Sequence, residues 1–181
     1  MDLILKSAQM AALLHLGQKR KYNGRPYITH PARVAARLCY HPKATVLMVG
    51  AAWLHDAIEE CGISAIELER SLPPELITLV LELTNPSKQF PKLPRPERKA
   101  MDRSHLGQVS NAAKLIKLVD RADNLVELSC DLKLDPKVAP DKTFAETYRD
   151  ESKALLRVLE GTDEELEREF EKALASLSAS L

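Results

Sequence analysis

The chain has 181 residues, 45% of them hydrophobic, with 26 basic side chains balanced by 26 acidic ones, which suits one soluble domain able to bury a core without disulfides. Zero net charge excludes a general nucleic-acid binder, which relies on a basic excess, and an aromatic content of 4% leaves too few rings for a base-stacking surface. Cys39, Cys61 and Cys130 are scattered and form no C-x-x-C pair, the N-terminus lacks a signal-peptide pattern, and the longest uncharged apolar run, Ala44 to Leu54, is too short for a bilayer span of roughly 20 residues. The expectation is a cytoplasmic protein with reduced thiols and no membrane partner.

In chain order, an apolar stripe predicts a helix over residues 3–18, and Gly24-Arg25-Pro26 marks a loop. Thr29 is placed to cap a second helix running to about Tyr40, with Pro31 tolerated in its first turn. After His41-Pro42, a third helix is expected from about Ala44 to Glu60, stopped by Gly62. Ser64-Ala65-Ile66-Glu67 is a capping box opening a short helix that ends before Pro73-Pro74, and another follows to about Thr84. Between Asn85 and Val109 the prolines at 86, 91, 94 and 96 predict a long basic loop near residues 85–109, with only a short helix around 96–103. Helices over 110–129 and 141–160 follow, and Thr162-Asp163-Glu164-Glu165 caps a last one. With no strand alternation and no internal repeat, the reading is all-α, a single domain over residues 1–181.

The chemistry concentrates where polar residues interrupt apolar helix faces. His55 and Asp56 stand together inside Trp53-Leu54-His55-Asp56-Ala57-Ile58. Both are ligands for divalent transition metals, and an ionised carboxylate buried there without a partner would cost several kcal/mol. Glu59 and Glu60 follow four residues after His55 and Asp56, so a continuous helix would stack each acid over a ligand. His30, opening the second helix, and Asp120, interrupting the face of Leu115-Ile116-Lys117-Leu118-Val119, complete a mixed nitrogen and oxygen set, with Asn124 one turn beyond Asp120. Lacking thiolates, the set suits one manganese ion, with iron or magnesium as alternatives. A structural reading stays open at each position: Asp120 can pair with Lys117 or Arg121, and the two glutamates can be solvent-facing acids. Lys19-Arg20-Lys21 with Arg25, and Lys88, Lys92, Arg95, Arg98, Lys99 and Arg103, gather positive charge that would suit a small polyphosphate.

Taken in order, the segments His15 to Lys21, Gly24 to Pro31, Leu54 to Glu60, Leu83-Thr84, Pro91-Lys92-Leu93 and Lys114 to Leu125 resemble the HD-domain phosphohydrolases, and within them the small stand-alone alarmone hydrolases of the RelA/SpoT-homologue type. The resemblance runs from about Ala8 to Leu174. It implies an HD-domain fold with His30, His55, Asp56 and Asp120 ligating one Mn²⁺, and Glu59 and Glu60 handling the attacking water. It further implies substrate contacts from Arg20, Lys21, Lys92, Asn124 and Tyr148. The implied reaction releases pyrophosphate from the 3′ position of (p)ppGpp, with a (p)ppApp hydrolase, an NADPH phosphatase or a non-catalytic nucleotide-binding module as alternatives. The implied partner is a small nucleotide, to a monomer or homodimer. Three positions depart from the family pattern: Glu60 in place of Asp, Asp123 in place of His or Tyr, and Phe144 where an arginine is usual. Asp123 is expected to add negative charge near the substrate.

Overall fold

The helical periodicity is realised throughout residues 2–181, which a computed structural model describes. Helix α1, Leu3–Leu14, is capped by Asp2, whose carboxylate accepts from the amides of Ile4 and Leu5. It is four residues shorter than the periodicity suggests, because the chain reverses at Gly17, in the left-handed region at φ 77°. The turn that follows is pinned by an antiparallel bridge between Lys19 and Pro26, and no strand forms among the described residues. Helix α2, Thr29–Cys39, begins without a side-chain cap; the Thr29 hydroxyl instead donates to the Pro26 carbonyl at 2.8 Å.

Two expectations are corrected here. The helix expected over 44–60 is broken into α3, Val46–Leu54, and α4, Ala57–Cys61. The break falls at His55 and Asp56, the latter at φ −97°, ψ −4°, in the sparsely populated bridge region where active-site residues are often found. Glu60 still closes a backbone bond onto the Asp56 carbonyl at 2.8 Å, but His55, at the end of α3, and Glu59, in α4, no longer share one continuous helix. The second correction concerns the long basic loop near residues 85–109. After α5 (Ala65–Glu69, with its capping box) and α6 (Pro74–Leu83), a 3₁₀ turn spans Pro86–Gln89 and a full helix α7 spans Arg95–Gln108. Pro94 and Pro96 flank the first residue of α7, where a missing N–H costs no intrahelical bond, so they start a helix rather than prevent one. Helices α8 (Asn111–Asp131), α9 (Lys142–Leu159) and α10 (Glu164–Ser180) complete the chain.

Helix α3 lies at the centre, packed against α1, α2, α6 and α8. Its small residues permit this: a Cβ at Gly50 would fall 2.6 Å from Leu76 Cδ1 of α6 and 3.0 Å from Ser7 Oγ of α1. Leu115, Ile116, Leu118, Leu125 and Leu128 bury one face of α8, which packs against α2, α9 and α10. This crossing brings the start of α2, the end of α3 and the middle of α8 together. No described helix is long and apolar enough to cross a membrane.

Candidate metal centre and adjoining cavity

His30, His55 and Asp120 are almost completely buried. His30 Nε2 lies 3.2 Å from His55 Nε2, 3.2 Å from Asp120 Oδ1 and 3.7 Å from Asp56 Oδ2. His55 Nε2 lies 3.4 Å from Asp56 Oδ2 and 3.6 Å from Asp120 Oδ1. Proton accounting decides what this cluster wants. His55 Nδ1 is 2.8 Å from the Ala52 carbonyl, which can only accept, so that nitrogen carries the hydrogen. His30 Nδ1 is likewise 2.7 Å from Asp123 Oδ2. In the neutral rings both Nε2 atoms are then lone pairs facing each other and two carboxylates. Among the described residues, the only donors that reach these acceptors are Asn124 Nδ2, 2.7 Å from Asp120 Oδ1 and 3.4 Å from His30 Nε2, and the Tyr27 hydroxyl on Asp56. They leave lone pairs of His30, His55 and Asp56 converging within 4.8 Å of one another, an oxygen and nitrogen set whose chemistry fits a divalent metal ion. The field agrees: burial would lower the His55 pKa, but Asp56 and Asp120 reverse this and raise it to about 9.

Each member of the cluster is held from behind. Asp120 presents Oδ1 to the imidazoles while Oδ2 pairs with the buried Lys117 ammonium at 2.7 Å. The ligand and ion-pair readings of Asp120 are thus compatible, one oxygen serving each. Burial opposes ionisation of Asp120, but Lys117 and the two imidazoles hold its pKa well below the usual range. Asn124 Nδ2 donates to Asp120 Oδ1 at 2.7 Å. The Tyr27 hydroxyl donates to Asp56 Oδ2 at 2.6 Å, and burial together with that carboxylate pushes the phenol pKa far up.

A cavity of about 290 Å³ opens beside the cluster, lined by Arg20, Lys21, Glu60, Asn124 and Tyr148 among others. The structure thereby brings together five residues singled out in the sequence. It leaves two apart. Glu59 turns away, its Oε1 accepting from the Asn85 backbone at 2.7 Å and the Asn85 side chain at 2.9 Å, and burial raises its pKa. Lys92 is exposed and lies outside the cavity lining. Lys88 comes closer to the acids, with Nζ 2.9 Å from Glu60 Oε1 and 3.5 Å from Glu59 Oε2.

No profile of a known protein family matches the chain. Named relatives do. Guanosine-3′,5′-bis(diphosphate) 3′-pyrophosphohydrolase MESH1 of Homo sapiens is 33% identical over 166 residues, covering 91% of this chain and 88% of the human protein. The Xenopus tropicalis MESH1 is 37% identical over 128 residues, covering 70% of this chain and 69% of its own. The chain belongs to this pyrophosphohydrolase family. A solved structure described as a metazoan ortholog of SpoT that hydrolyzes ppGpp superposes with a TM-score of 0.82 at 28% identity, over 97% of this chain and 95% of that one.

Within that family, the departures noted in the sequence acquire places. Asp123 does not turn its charge toward the cavity: it accepts from His30 Nδ1 and is capped by the Arg33 guanidinium at 2.6 and 2.8 Å. The expected negative charge near substrate is therefore neutralised behind the metal cluster. Phe144 joins Tyr22 and Tyr148 on the cavity wall, with the Lys21 ammonium 5.6 Å and the Arg95 guanidinium 5.5 Å from its ring. Sequence reading missed Tyr27, Arg33 and Glu127 as parts of the site, and it noted Asp123 and Lys88 only for their charge. Of the three, only Tyr27 lay within a motif that could have flagged it, three residues before His30.

Proposed function

We propose that the chain hydrolyses (p)ppGpp with Mn²⁺ held by His30, His55, Asp56 and Asp120, releasing pyrophosphate and leaving GDP or GTP. The observation that carries this reading is the meeting of four acceptor atoms with a cavity lined by Arg20 and Lys21, with Glu60 in the same lining. A bound divalent ion supplies Lewis acidity, acidifying water and neutralising charge on the phosphoryl group. The protein's own groups supply the remainder. Arg20 and Lys21 hold the anionic nucleotide, and Arg20 is itself oriented by Glu127 at 2.9 Å and Asn124 at 2.7 Å. Tyr148 and Phe144 give the cavity an apolar wall for the nucleoside.

Glu60 takes the proton of the attacking water as its oxygen bonds to the phosphorus; the bond from that phosphorus to the 3′ oxygen breaks, and the 3′ oxygen takes up a proton. Glu59, spent on Asn85, anchors the segment carrying Lys88, which in turn pairs with Glu60. The two acids thus divide the work: Glu60 acts on water and Glu59 holds the wall in place.

The test is incubation with ppGpp, pppGpp and pppApp, with Mn²⁺ or with EDTA, and separation of products by anion exchange. Metal-dependent release of pyrophosphate with GDP or GTP is the expected result. Cleavage of pppApp alone would move the base assignment to adenine, and no turnover of any of the three in Mn²⁺-loaded protein would overturn the reading.

A further inference from the structure

Arg33 lies on α2, one turn after His30, and does not line the substrate cavity. Its guanidinium is spread over two consecutive turns of α8. Nε donates to Asp123 Oδ1 at 2.6 Å, and Nη2 donates to Asp123 Oδ2 at 2.8 Å and to Glu127 Oε2. Each acid has a second duty. Asp123 Oδ2 accepts from His30 Nδ1 at 2.7 Å, and Glu127 Oε1 accepts from Arg20 Nε at 2.9 Å. Arg20 then donates to Asn124 Oδ1 at 2.7 Å, and Asn124 donates to Asp120 Oδ1 at 2.7 Å. Followed from His30 through Asp123, Arg33, Glu127, Arg20 and Asn124 to Asp120, the bonds form an unbroken chain. It leaves the metal cluster at one ligand and returns at another, passing through a cavity-lining cation.

We propose that Arg33 is a positioning residue that couples the metal centre to the substrate cavity, orienting His30 through Asp123 and Arg20 through Glu127. An arginine is the suitable group because its fixed fork can serve several carboxylate oxygens at once, which an ammonium on a flexible stem cannot do with defined geometry. A surface ion pair would contribute little, but Asp123 and Glu127 side chains are only 14% and 7% exposed, so their orientation depends on the partners they keep. Groups that orient a metal-ligating histidine commonly change metal affinity by about 10–100-fold when removed. The same arginine reaching the nucleotide side would make occupancy of one site favour the other, a reciprocal coupling.

The inference rests on the metal and nucleotide reading above, and the experiment separates the two. Mn²⁺ is titrated calorimetrically into nucleotide-free protein, and GDP, the reaction product, into protein held in EDTA; thermal melts report the fold. Arg33→Met is expected to weaken Mn²⁺ by about 10–100-fold and to weaken GDP as well. Asp123→Asn should weaken Mn²⁺ more than GDP, and Glu127→Gln should weaken GDP more than Mn²⁺. Arg33→Lys, which keeps the charge without the fork, should restore little of either affinity, and it carries the test if Arg33→Met does not fold. Folded Arg33 variants with unchanged Mn²⁺ affinity, or with only one affinity altered, would overturn the coupling. Wild-type protein that binds Mn²⁺ but not GDP would overturn the nucleotide reading and the coupling with it, a failure visible before any variant is made.

Discussion

The molecule buries histidine beside aspartate in two places, and the two differ in whether their hydrogen bonds close. At His41, the Lys43 backbone amide lies 3.3 Å from Nδ1, Nε2 lies 3.3 Å from Asp163 Oδ1, and the Lys43 ammonium lies 2.7 Å from Asp163 Oδ2. Asp163 also caps α10 by accepting from the amides of Glu165 and Leu166. Every acceptor there faces a donor, so the cluster is complete as a structural joint. At His30 and His55 the outward nitrogens already donate, to Asp123 and Ala52, and the inward ones face each other and two carboxylates, with one long contact from the Asn124 amide to His30 Nε2 at 3.4 Å as the only donor among the described residues. Burial and residue type are alike in both clusters. Donor accounting is what distinguishes a ligand set from a brace.

That contrast breaks most visibly at the ligands. His55→Ala or Asp56→Ala should abolish Mn²⁺ uptake and turnover while helicity is retained, whereas His41→Ala should lower the melting temperature and keep Mn²⁺ uptake; calorimetry and circular dichroism on the three variants decide. Next in size, Glu60→Gln should reduce kcat by about 10²–10⁴-fold, the range for a positioned acid–base group, with Mn²⁺ affinity retained. Glu59→Gln should cost less activity and show up in the melt, because it loosens the Asn85 tether. Gly50→Ala should leave the site chemistry alone and destabilise the fold by about 1–3 kcal/mol through overpacking against Leu76 and Ser7, as measured by urea unfolding.

The smallest effect belongs to the brace. Burial would raise the Asp163 pKa, but Lys43, the α10 amides and His41 hold it down at about 2. A depressed carboxylate contributes stability that is fully present above its unfolded value, near 3.9, and lost as pH falls through the folded value. Wild-type melting temperatures should therefore drop between pH 5 and pH 2. Asp163→Asn, which keeps a cap, should flatten that part of the profile. A parallel fall in the variant would show that other carboxylates carry the acid sensitivity.

The members of the buried cluster were legible in the sequence because a polar residue inside an apolar stripe is a periodicity signal, and His55, Asp56 and Asp120 each carry it. The break at His55-Asp56 was not legible, since neither residue stops a helix and the apolar pattern continues through Ala57 and Ile58. Helix α7 was legible only in part, as a short helix around 96–103: the surrounding prolines read as breakers, although Pro94 and Pro96 are tolerated in a first turn and the helix runs on to Gln108. Asp123 and Arg33 were invisible as a pair, lying 90 residues apart and meeting only because α2 packs on α8. What the sequence concealed were contacts between helices rather than residues within them.

The proposed ligands are drawn from the start of α2, the α3–α4 break and the middle of α8, so the cluster exists only after distant parts of the chain have docked. An ion that needs all of them gains little from a partly assembled transition state and binds the finished structure. It should then act as a latch on the folded protein: Mn²⁺ should slow unfolding strongly and leave the refolding rate nearly unchanged, the pattern of interactions formed after the rate-limiting step. In a cell, the availability of metal would govern how long each molecule persists as well as how fast it turns over.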